Sequence, residues 1–467
     1  MPPPTGTDAQ LRGGVEIIGG PGAAASGERP HDNLLMRGAA GALHGARRLA
    51  ALPGAAWSLL PRLRVHGEPE LPLDTGLRMR RHARVLMHAL RRPLVGGNHV
   101  ELLLDGPDTY AAMFDAIDAA RDHINLESYI VEADGPGEEL ARRLLAKCRQ
   151  GVKVNLLFDG FGSLTTAGAY FEALRAGGVQ LCEYNPLRSW ARVFSRAVHL
   201  RDHRKLLVVD GRVAFVGGVN ISGVYSSALS GAKRAADAPP WRDAHLRLAG
   251  PLVAELQTLF IAHWNQHAPC TIQPADYLPT LPRAGKLRGA IASCDAGRRR
   301  NPFYRALVKA IDQAQERVLV TTAYFVPTRR LLRALCAAAR RGVDVRLLLP
   351  SQSDAWAPLH AGRSHYGRLL QSGVRIYERQ GALLHAKTTV IDGVWVTVGS
   401  ANLDWRSVVH NAEVNAIVLD PVFGAQMESV FTADITASRE ITLDSWHRRG
   451  WLQRVCEALA RRIEFLL

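Results

Sequence analysis

The sequence has few cysteines, and none of them are paired at the spacing of a metal site. Its six cysteines are scattered over 467 residues without a CxxC pair. Most lie in apolar runs, such as Cys148 in LLAKCRQ and Cys336 in LRALCAA. This pattern predicts reduced, mostly buried thiols in a reducing compartment, and it argues against a zinc site.

Long uninterrupted apolar runs are also missing. The start, MPPPTGTDAQ, lacks the charged and apolar regions of a signal peptide. Residues 39–60 form the most apolar early stretch, but His44, Arg47, Arg48 and Pro53 interrupt it. A spanning helix needs about 20 mainly apolar residues, and charge at the bilayer centre is costly. We therefore predict no transmembrane helix, and the stretch is either an interfacial membrane segment or a partly disordered leader.

Acidic residues are in short supply relative to basic ones. There are 43 Asp and Glu against 58 Lys and Arg, which gives a net charge of +15. The 47% hydrophobic and 22% charged residues are ordinary for a globular protein, and the length allows two domains. The excess charge favours nucleic acid, anionic lipid or phosphorylated substrates as partners. It does not choose among them, and an arginine-rich proteome would produce the same excess.

The chain contains an internal duplication. The stretch LLRALCAAARRGVDVRLLLP matches LARRLLAKCRQGVKVNLLFD, and RALVKAIDQAQERVLVTTAYFVP matches MFDAIDAARDHINLESYIVEA. Both copies alternate amphipathic helices with buried strands. We predict two similar α/β domains, each a mixed, mostly parallel sheet flanked by helices, packed face to face. The predicted boundaries are a basic Gly/Pro/Ala-rich extension (1–97), a first domain (98–280), a second domain (281–440) and a C-terminal amphipathic helix (441–467).

Each copy carries one further shared motif. The first reads HRKLLVVD, from His203 through Lys205 to Asp210, and the second reads HAKTTVID, from His385 through Lys387 to Asp392. A GxxN element begins seven residues after each Asp. LLVVD and TTVID read as strands, so the His and Lys of each motif, two residues apart, share one face. A single HxK would mean little, but two copies with matching offsets are a strong signal.

Two histidines and two lysines suit phosphodiester exchange. One imidazole can attack phosphorus and form a phosphohistidine. The other can protonate the leaving alkoxide and then deprotonate the incoming alcohol. The lysines can stabilise charge on the non-bridging oxygens, so neither a metal nor a cofactor is expected.

With these motifs, residues 98–467 resemble the phospholipase D superfamily, whose signature is a pair of HxKxxxxD motifs. Within it the sequence is most similar to bacterial cardiolipin synthases of the short type, which lack N-terminal transmembrane helices. The stretches NLESYIVEADGPG, WRDAHLRLAGP and LLHAKTTVIDGVWVTVGSANLDWRS support this likeness. The resemblance implies two phospholipase D-like α/β domains whose sites join in one cleft.

The resemblance also implies roles for individual residues. His203 would be the nucleophile and His385 the general acid and base, an order that the sequence alone does not establish. Asp210 and Asp392 complete the catalytic motifs and would be mainly structural. The remaining implied residues bind phosphate or orient a histidine: they are Lys205, Lys387, Asn220 and Asn402 for phosphate, with Ser400 adding a hydroxyl, and Asp243 and Glu413 for the histidines. For Asp243 and Glu413 a surface salt bridge is the alternative.

The implied activity is transfer of a phosphatidyl group to phosphatidylglycerol through a phosphohistidine, giving cardiolipin. The implied partners are the anionic phospholipids phosphatidylglycerol and cardiolipin at a membrane surface, and the implied location is the cytoplasmic side of a bacterial inner membrane. A hydrolase of the same superfamily, acting on lipid or on nucleic acid, is the main alternative. No nucleic-acid module is recognised. A non-enzymatic membrane scaffold is a third alternative, which the two complete motifs disfavour.

Other segments support weaker predictions. A second anionic headgroup, or simply solvent, could face the basic residues near the first motif: Arg192, Arg196, His199, Arg201 and Arg204. Strand-end residues near the cleft are expected to be core or supporting residues: Glu127, Tyr129, Thr322 and Tyr324. The C-terminal stretch from Trp451 to Leu466 has apolar residues at helical spacing beside arginines. It predicts either an interfacial helix or a terminal helix packed on the domain.

Overall fold

A computed structural model describes residues 73–186, 196–226, 241–298 and 301–467. The apolar stretch at 39–60 and Arg192 lie outside the described residues. Helices and strands are numbered here in chain order. The described helices are α1 (Leu73–Leu90), α2 (Asp105–Ala119), α3 (Gly135–Arg149), α4 (Gly168–Ala176), α5 (Leu252–His267), α6 (Pro302–Asp312), α7 (Arg329–Arg340), α8 (Trp356–Arg363), α9 (Tyr366–Gln371), α10 (Pro421–Thr436), α11 (Leu443–His447) and α12 (Trp451–Arg462).

Strands from both copies of the duplication join one sheet in the described part of the chain. The strands are β1 (Val95–Leu104), β2 (His123–Ser128), β3 (Lys153–Asp159), β4 (Gln180–Tyr184), β5 (Arg201–Asp202), β6 (Leu206–Val209), β7 (Val213–Gly217), β8 (Ala244–Ala249), β9 (Leu287–Cys294), β10 (Arg317–Thr321), β11 (Asp344–Pro350), β12 (Arg375–Arg379), β13 (Thr388–Ile391), β14 (Trp395–Gly399), β15 (Asn411–Leu419) and β16 (Ser438–Ile441). Their order is β16-β12-β11-β10-β13-β14-β15-β9-β1-β8-β7-β6-β2-β3-β4, and β5 pairs with β15.

The mixed α/β fold with duplicated halves is confirmed, but the expectation of mostly parallel sheets is wrong. The parallel pairs along this order are β2–β3, β3–β4, β10–β11 and β11–β12. The other neighbours, including the β1–β9 pair that joins the two halves, are antiparallel. Helical crossovers give the parallel strands, whereas the motif strands turn back at once as hairpins.

Asp-Gly turns produce those hairpins. Between β6 and β7, Asp210 has φ 52° and Gly211 has φ 61°. Between β13 and β14, Asp392 has φ 50° and Gly393 has φ 66°. Positive φ at both central residues belongs to the mirror-image β-turn that matches the twist of paired strands, and Asp-Gly is a preferred sequence for it. One further residue completes each three-residue loop, because Val209 pairs with Val213 and Ile391 with Trp395. The Asp that ends each motif therefore begins a hairpin.

A central apolar core draws on both halves. Leu206, Val216 and Leu246 of the first half are buried in one cluster with Val396 and Val414 of the second half. Separate clusters fill the outer side of each half, between the sheet and helices α2 and α3 in one half and α6 and α7 in the other. The core shared by the two halves is therefore apolar. Its close packing keeps the ends of the motif strands at fixed positions relative to one another.

Part of the predicted extension is built into this body. Strand β1 begins at Val95 and pairs with β8 and β9. Helix α1 packs against α6, and its buried His82 lies 2.9 Å, Nε2 to Oδ2, from Asp392. The boundary at residue 97 stays a prediction, but residues 73–97 contribute a helix and a strand to the folded body.

All six cysteines are free, and Cys182, Cys294 and Cys336 are buried. Across the described ranges, no helix is both long and apolar enough to span a bilayer.

Candidate active site

The first motif histidine is held by the second half of the molecule. Strand β5 pairs with the start of β15, Asp202 opposite Ala412, and the backbone N–H of His203 donates to the carbonyl of Ala412 at 3.0 Å. The next residue is Glu413. Its two carboxylate oxygens lie 3.1 Å from Nδ1 of His203.

The second motif histidine is held by the first half in the same way. The backbone N–H of His385 donates to the carbonyl of Arg242 at 2.8 Å. The next residue is Asp243, whose Oδ2 lies 2.6 Å from Nδ1 of His385. Each histidine is thus paired with the carboxylate of the other half, so the site is complete only when both halves fold together. The surface salt bridge considered for Asp243 and Glu413 is wrong, because both side chains are buried at these histidines.

These pairs fix which ring nitrogen faces the substrate. A carboxylate that accepts from Nδ1–H selects the tautomer with a bare Nε2. Among the described residues no hydrogen bond uses Nε2 of His203 or of His385. Both Nε2 atoms are therefore available to a reacting group.

The two motif lysines are held beside their own histidines. Lys205 donates from Nζ to the carbonyl of His203 at 2.7 Å, and Lys387 donates to the carbonyl of His385. The Lys205 ammonium lies 5.1 Å from the ring centroid of Tyr129, which also contacts the His203 ring at 5.0 Å. Tyr129 thus borders the site, as its predicted position at a strand end implied.

Burial sets the protonation of the histidines. It lowers the pKa of His203 to about 4, with Lys205 lowering it further and Glu413 opposing. It also lowers the pKa of His385 to about 4, with Lys387 acting in the same direction and Asp243 opposing. Lys387 also acts on His203, and Lys205 on His385, so the two motifs share one electrostatic site. Without substrate both imidazoles are neutral at neutral pH.

The pKa values of the two lysines and the two carboxylates are lowered as well. Burial lowers the pKa of Lys205 to about 7 and that of Lys387 to about 8. Burial alone would raise the pKa of Glu413, but His203 and Lys205 outweigh it, and the net shift is downward. Lys387 and His385 do the same for Asp243. A bound phosphodiester anion would favour the charged form of both lysines.

Three side chains donate to Glu413. Ser400 Oγ donates at 2.5 Å, Ser407 Oγ at 2.8 Å and Asn411 Nδ2 at 3.3 Å. Ser400 is fully buried, so its hydroxyl supports the carboxylate and is not directed at a phosphate as the sequence suggested. Ser407 was not predicted. It lies in a π-helical turn, Arg406–His410.

Asp243 is supported differently. Its Oδ1 accepts from the backbone N–H of Ala244 at 2.8 Å. The hydroxyl of Tyr225 lies 3.1 Å from Nδ1 of His385, next to the carboxylate. Where the second half has Ser400, the first half has Gly218, and a Cβ at this position would overlap the Asp243 carboxylate. Tyr225 was also not predicted. It stands five residues after Asn220, just as Ser407 stands five residues after Asn402, and this shared offset was the available signal.

The asparagines of the two GxxN elements also make different hydrogen bonds in the two halves. Asn220 accepts from the backbone N–H of Ile130 at 3.2 Å and donates to the Tyr225 hydroxyl at 2.9 Å. Asn402 accepts from the backbone N–H of Tyr324 at 3.4 Å. Among the described residues, none accepts a hydrogen bond from Nδ2 of Asn402. The phosphate-binding role stays a prediction for both, and Asn402 has the freer amide.

The motif aspartates lie at the far end of their strands from the histidines. Asp210 accepts from the backbone N–H groups of Arg121, Asp122 and His123 at 2.9, 2.8 and 3.0 Å. Asp392 accepts in the same way from residues 315–317. Both hold the turn before a neighbouring strand, which supports a structural part for them.

Two of the basic residues near the first motif, Arg201 and Arg204, do not contribute to the suggested headgroup site. Arg201 is buried against Asp159 at 3.4 Å, and Arg204 is buried between Glu127 at 3.5 Å and Asp295 at 3.0 Å. The prediction of a second headgroup is wrong for these two residues. The Arg196 side chain lies outside the described residues.

One described group has metal-ligand spacing. It comprises Glu127, Asp202 and His263, all buried. Arg204 pairs with Glu127 there, so a guanidinium already supplies positive charge, and nothing in the proposed chemistry uses this group.

Comparison with known proteins agrees with this geometry. A family model described as cardiolipin synthase, PLD-like domain, matches residues 113–227 and 307–435. Each matched segment contains one complete motif. Together the segments span more than half of the chain.

Curated relatives extend the match. Cardiolipin synthase A of Pseudomonas entomophila (strain L48) is 36% identical over 380 residues, covering 81% of this chain and 77% of the relative. The cardiolipin synthase of Geobacillus thermodenitrificans (strain NG80-2) is 34% identical over 397 residues, covering 84% and 78%.

A solved structure shares the fold. The crystal structure of phosphatidylserine synthase from Haemophilus influenzae Rd KW20 aligns with a TM-score of 0.64 at 14% identity, covering 83% of this chain and all of that one. This likeness concerns the fold alone. The family model and the curated relatives, taken with the paired motifs, show that the chain belongs to the cardiolipin synthase, phospholipase D-like domain family of enzymes.

Proposed function

We propose that this enzyme makes cardiolipin by transferring a phosphatidyl group to phosphatidylglycerol through a phosphohistidine. The observation that carries the proposal is the crossed pairing of His203 with Glu413 and of His385 with Asp243. It directs two neutral imidazoles, each with a bare Nε2 and a lysine beside it, into one buried site. That set of groups matches the needs of a two-step exchange at phosphorus.

In the first step, Nε2 of His203 attacks the phosphorus of the donor lipid. The bond to the headgroup oxygen breaks, and the leaving alkoxide takes a proton from His385. Binding of the anionic phosphodiester raises the pKa of His385, so that this histidine can carry that proton. Lys205 and Lys387 stabilise the charge on the non-bridging oxygens.

In the second step, the glycerol hydroxyl of phosphatidylglycerol gives its proton to His385 and attacks the phosphohistidine. The P–N bond breaks, cardiolipin forms and His203 returns to its neutral form. When phosphatidylglycerol is also the donor, the first step releases glycerol. The side chains of both histidines are buried, and exclusion of water favours the alcohol over hydrolysis.

The different support of the two carboxylates favours His203 as the nucleophile. Three donors share the charge of Glu413, which leaves it a weaker acceptor from His203. Asp243 lies closer to its histidine, at 2.6 Å, and it has fewer side-chain donors among the described residues. His385 is therefore the better proton carrier, and His203 is left to attack.

We further propose that the enzyme works at the cytoplasmic face of the bacterial inner membrane, with anionic phospholipids as substrate and product. The net charge of +15 suits such a surface.

Product analysis tests the proposal. The whole chain is incubated with phosphatidylglycerol labelled in its glycerol headgroup and, separately, in its acyl chains. We expect labelled glycerol release in step with acyl-labelled cardiolipin. The double variant His203→Ala/His385→Ala is the control and should form neither product. Phosphatidic acid as the sole lipid product would instead establish hydrolysis.

A further inference from the structure

The C-terminal helix carries an apolar surface that the protein does not cover. We define the C-terminal apolar face as the exposed apolar side chains of α12 and the turn after it. Their exposed fractions are Trp451 76%, Leu452 62%, Val455 43%, Leu459 55%, Ile463 41%, Phe465 57% and Leu466 40%. An amphipathic helix on a globular protein normally turns such residues inward.

The opposite side of α12 attaches it to the body. Ala460 packs with Val326 and Ala361 in a small buried cluster. Glu457 is buried and pairs with Arg449 at 3.2 Å. Glu464 pairs with His365 at 3.0 Å. The helix is therefore held in place with its apolar side outward.

Helical geometry separates these two sides. At about 100° per residue, Trp451, Val455, Leu459 and Leu452 span an arc of about 100°. Ala460 and Glu457 lie on the other side of the axis. The apolar face is thus continuous, and it does not coincide with the side that packs.

Arginines border the same surface. Arg448, Arg454, Arg461 and Arg462 are exposed, and no described carboxylate lies within ion-pair distance of any of them. Three of the four, Arg454, Arg461 and Arg462, line a cleft together with Ser364, Ala458 and Glu457, whose carboxylate is paired with Arg449. An apolar strip bordered by unpaired arginines is complementary to an anionic interface with an apolar layer beneath it.

The last residue of the chain, next to this surface, contacts the turn that supports the second half-site. The backbone N–H of Arg406 donates to the carbonyl of Leu467 at 2.9 Å, and Leu467 packs near Trp405. Arg406 begins the π-helical turn that carries Ser407, whose hydroxyl holds Glu413. A bilayer in contact with α12 would lie beside the second half-site.

We propose that the C-terminal apolar face docks the enzyme onto an anionic phospholipid bilayer. Trp451, Leu452 and Leu459 insert among the acyl chains, while Arg461 and Arg462 contact headgroup phosphates. This proposal rests on the proposed function only for its substrate, which is a bilayer lipid. A second copy of the chain fits the face less well, since it would bring like-charged arginines together.

Vesicle flotation tests the proposal with the full chain. The vesicles contain either phosphatidylcholine alone or phosphatidylcholine with phosphatidylglycerol. The variant Trp451→Ser/Leu452→Ser/Leu459→Ser is compared with wild type, and Val422→Ser, on helix α10 with 77% exposure, is the matched control. Each buried apolar side chain contributes roughly a factor of ten, so we expect at least a tenfold weaker affinity for the triple variant and no change for the control. Binding within twofold of wild type would overturn the proposal.

The arginines give a second readout. The variant Arg461→Gln/Arg462→Gln should lower affinity for the phosphatidylglycerol vesicles several-fold and remove much of the salt dependence. It should leave the weak binding to pure phosphatidylcholine unchanged. Equal loss on both vesicle types would contradict the headgroup contact.

Two further measurements separate the possible failures. Activity on a short-chain phosphatidylglycerol dispersed in detergent should be unchanged in the triple variant, because docking is not needed there. If wild type also makes no cardiolipin in detergent, the proposed function fails independently of docking. If sedimentation velocity shows that the triple variant converts a wild-type dimer into a monomer while vesicle binding is retained, the face joins two copies and the docking proposal is wrong.

Discussion

The two half-sites hold their histidines with acids of different length. Glu413, the longer acid, is supported by short hydroxyls, Ser400 and Ser407. Asp243, the shorter acid, has Gly218 at the position of the first serine, and Tyr225, at the position of the second, contacts His385 instead of the acid. The half-sites therefore reach a similar His–carboxylate contact with different combinations of side-chain length.

The difference shows what the duplicated fold requires and what it leaves free. Each half must supply a carboxylate that contacts Nδ1 of the histidine in the other half. Each half must also supply a lysine two residues after its own histidine. The support around each carboxylate is free to vary. Glu413 accepts from three side-chain donors besides His203, whereas the main side-chain partner of Asp243 is His385. This difference allows two similar histidines to take different chemical roles.

The largest difference between the half-sites should appear when either histidine is removed. His203→Ala should lower transfer at least about 10⁴-fold, and His385→Ala about 10²- to 10⁴-fold. A donor with a p-nitrophenol leaving group needs no acid, so its release step should be largely restored in His385→Ala and not in His203→Ala. The assay is p-nitrophenol release in a stopped-flow burst. Restoration in both variants, or in neither, would contradict the division of roles.

A smaller difference in activity is expected between substitutions at Gly218 and at Ser400, which occupy matching positions. In Gly218→Ala the added methyl displaces the Asp243 carboxylate, and we expect about a 10²-fold loss in kcat/KM. In Ser400→Ala only one of three side-chain donors is lost, and we expect at most about a tenfold loss. Both are measured with labelled phosphatidylglycerol, and thermal unfolding checks that each variant folds. Equal losses would show that the half-sites are more alike than their contacts indicate.

A finer test removes the hydroxyls five residues after each asparagine. Besides a contact with the asparagine of its own half, Tyr225→Phe removes the contact with His385, and Ser407→Ala removes the bond to Glu413. A hydrogen bond to the histidine or its carboxylate contributes about 0.5–1.5 kcal/mol, so each variant should lower kcat/KM by up to about tenfold. Tyr170→Phe is the matched control, since its hydroxyl donates to Gly137 at 2.7 Å on another face of the first half. A control variant as impaired as Tyr225→Phe would assign the effect to stability rather than to positioning.

The smallest effect is on stability as a function of pH. Burial lowers the pKa of His203 and His385 to about 4, below the ordinary 6.5. Between these values the unfolded chain binds more protons than the folded one, so stability is present above pH 6.5 and is lost as the pH falls toward 4. Urea unfolding of His203→Gln/His385→Gln should show a shallower loss over this range. The exposed His447→Gln is the control, and a double variant with the wild-type slope would contradict the burial of neutral imidazoles.

The sequence predicted the duplicated motifs and their chemistry because both depend on short-range spacing. His203 and Lys205 follow strand alternation, and Asp210-Gly211 was a readable hairpin signal that would also have revealed the antiparallel strands. The crossing of the acids was not readable, because spacing along the chain does not say which half a carboxylate reaches. Arg201 and Arg204 were misjudged for a similar reason: their partners Asp159 and Glu127 come from strands far away in the sequence.

The covalent intermediate is the central claim, and trapping it is the most direct test. His385→Ala should form the phosphohistidine with a p-nitrophenyl phosphodiester donor and resolve it slowly, because the base of the second step is missing. The reaction is quenched under alkaline denaturing conditions, and the peptides are analysed by mass spectrometry. We expect one phosphatidyl adduct, on the peptide that contains His203. Release of p-nitrophenol over many turnovers with no adduct at His203 would contradict the account.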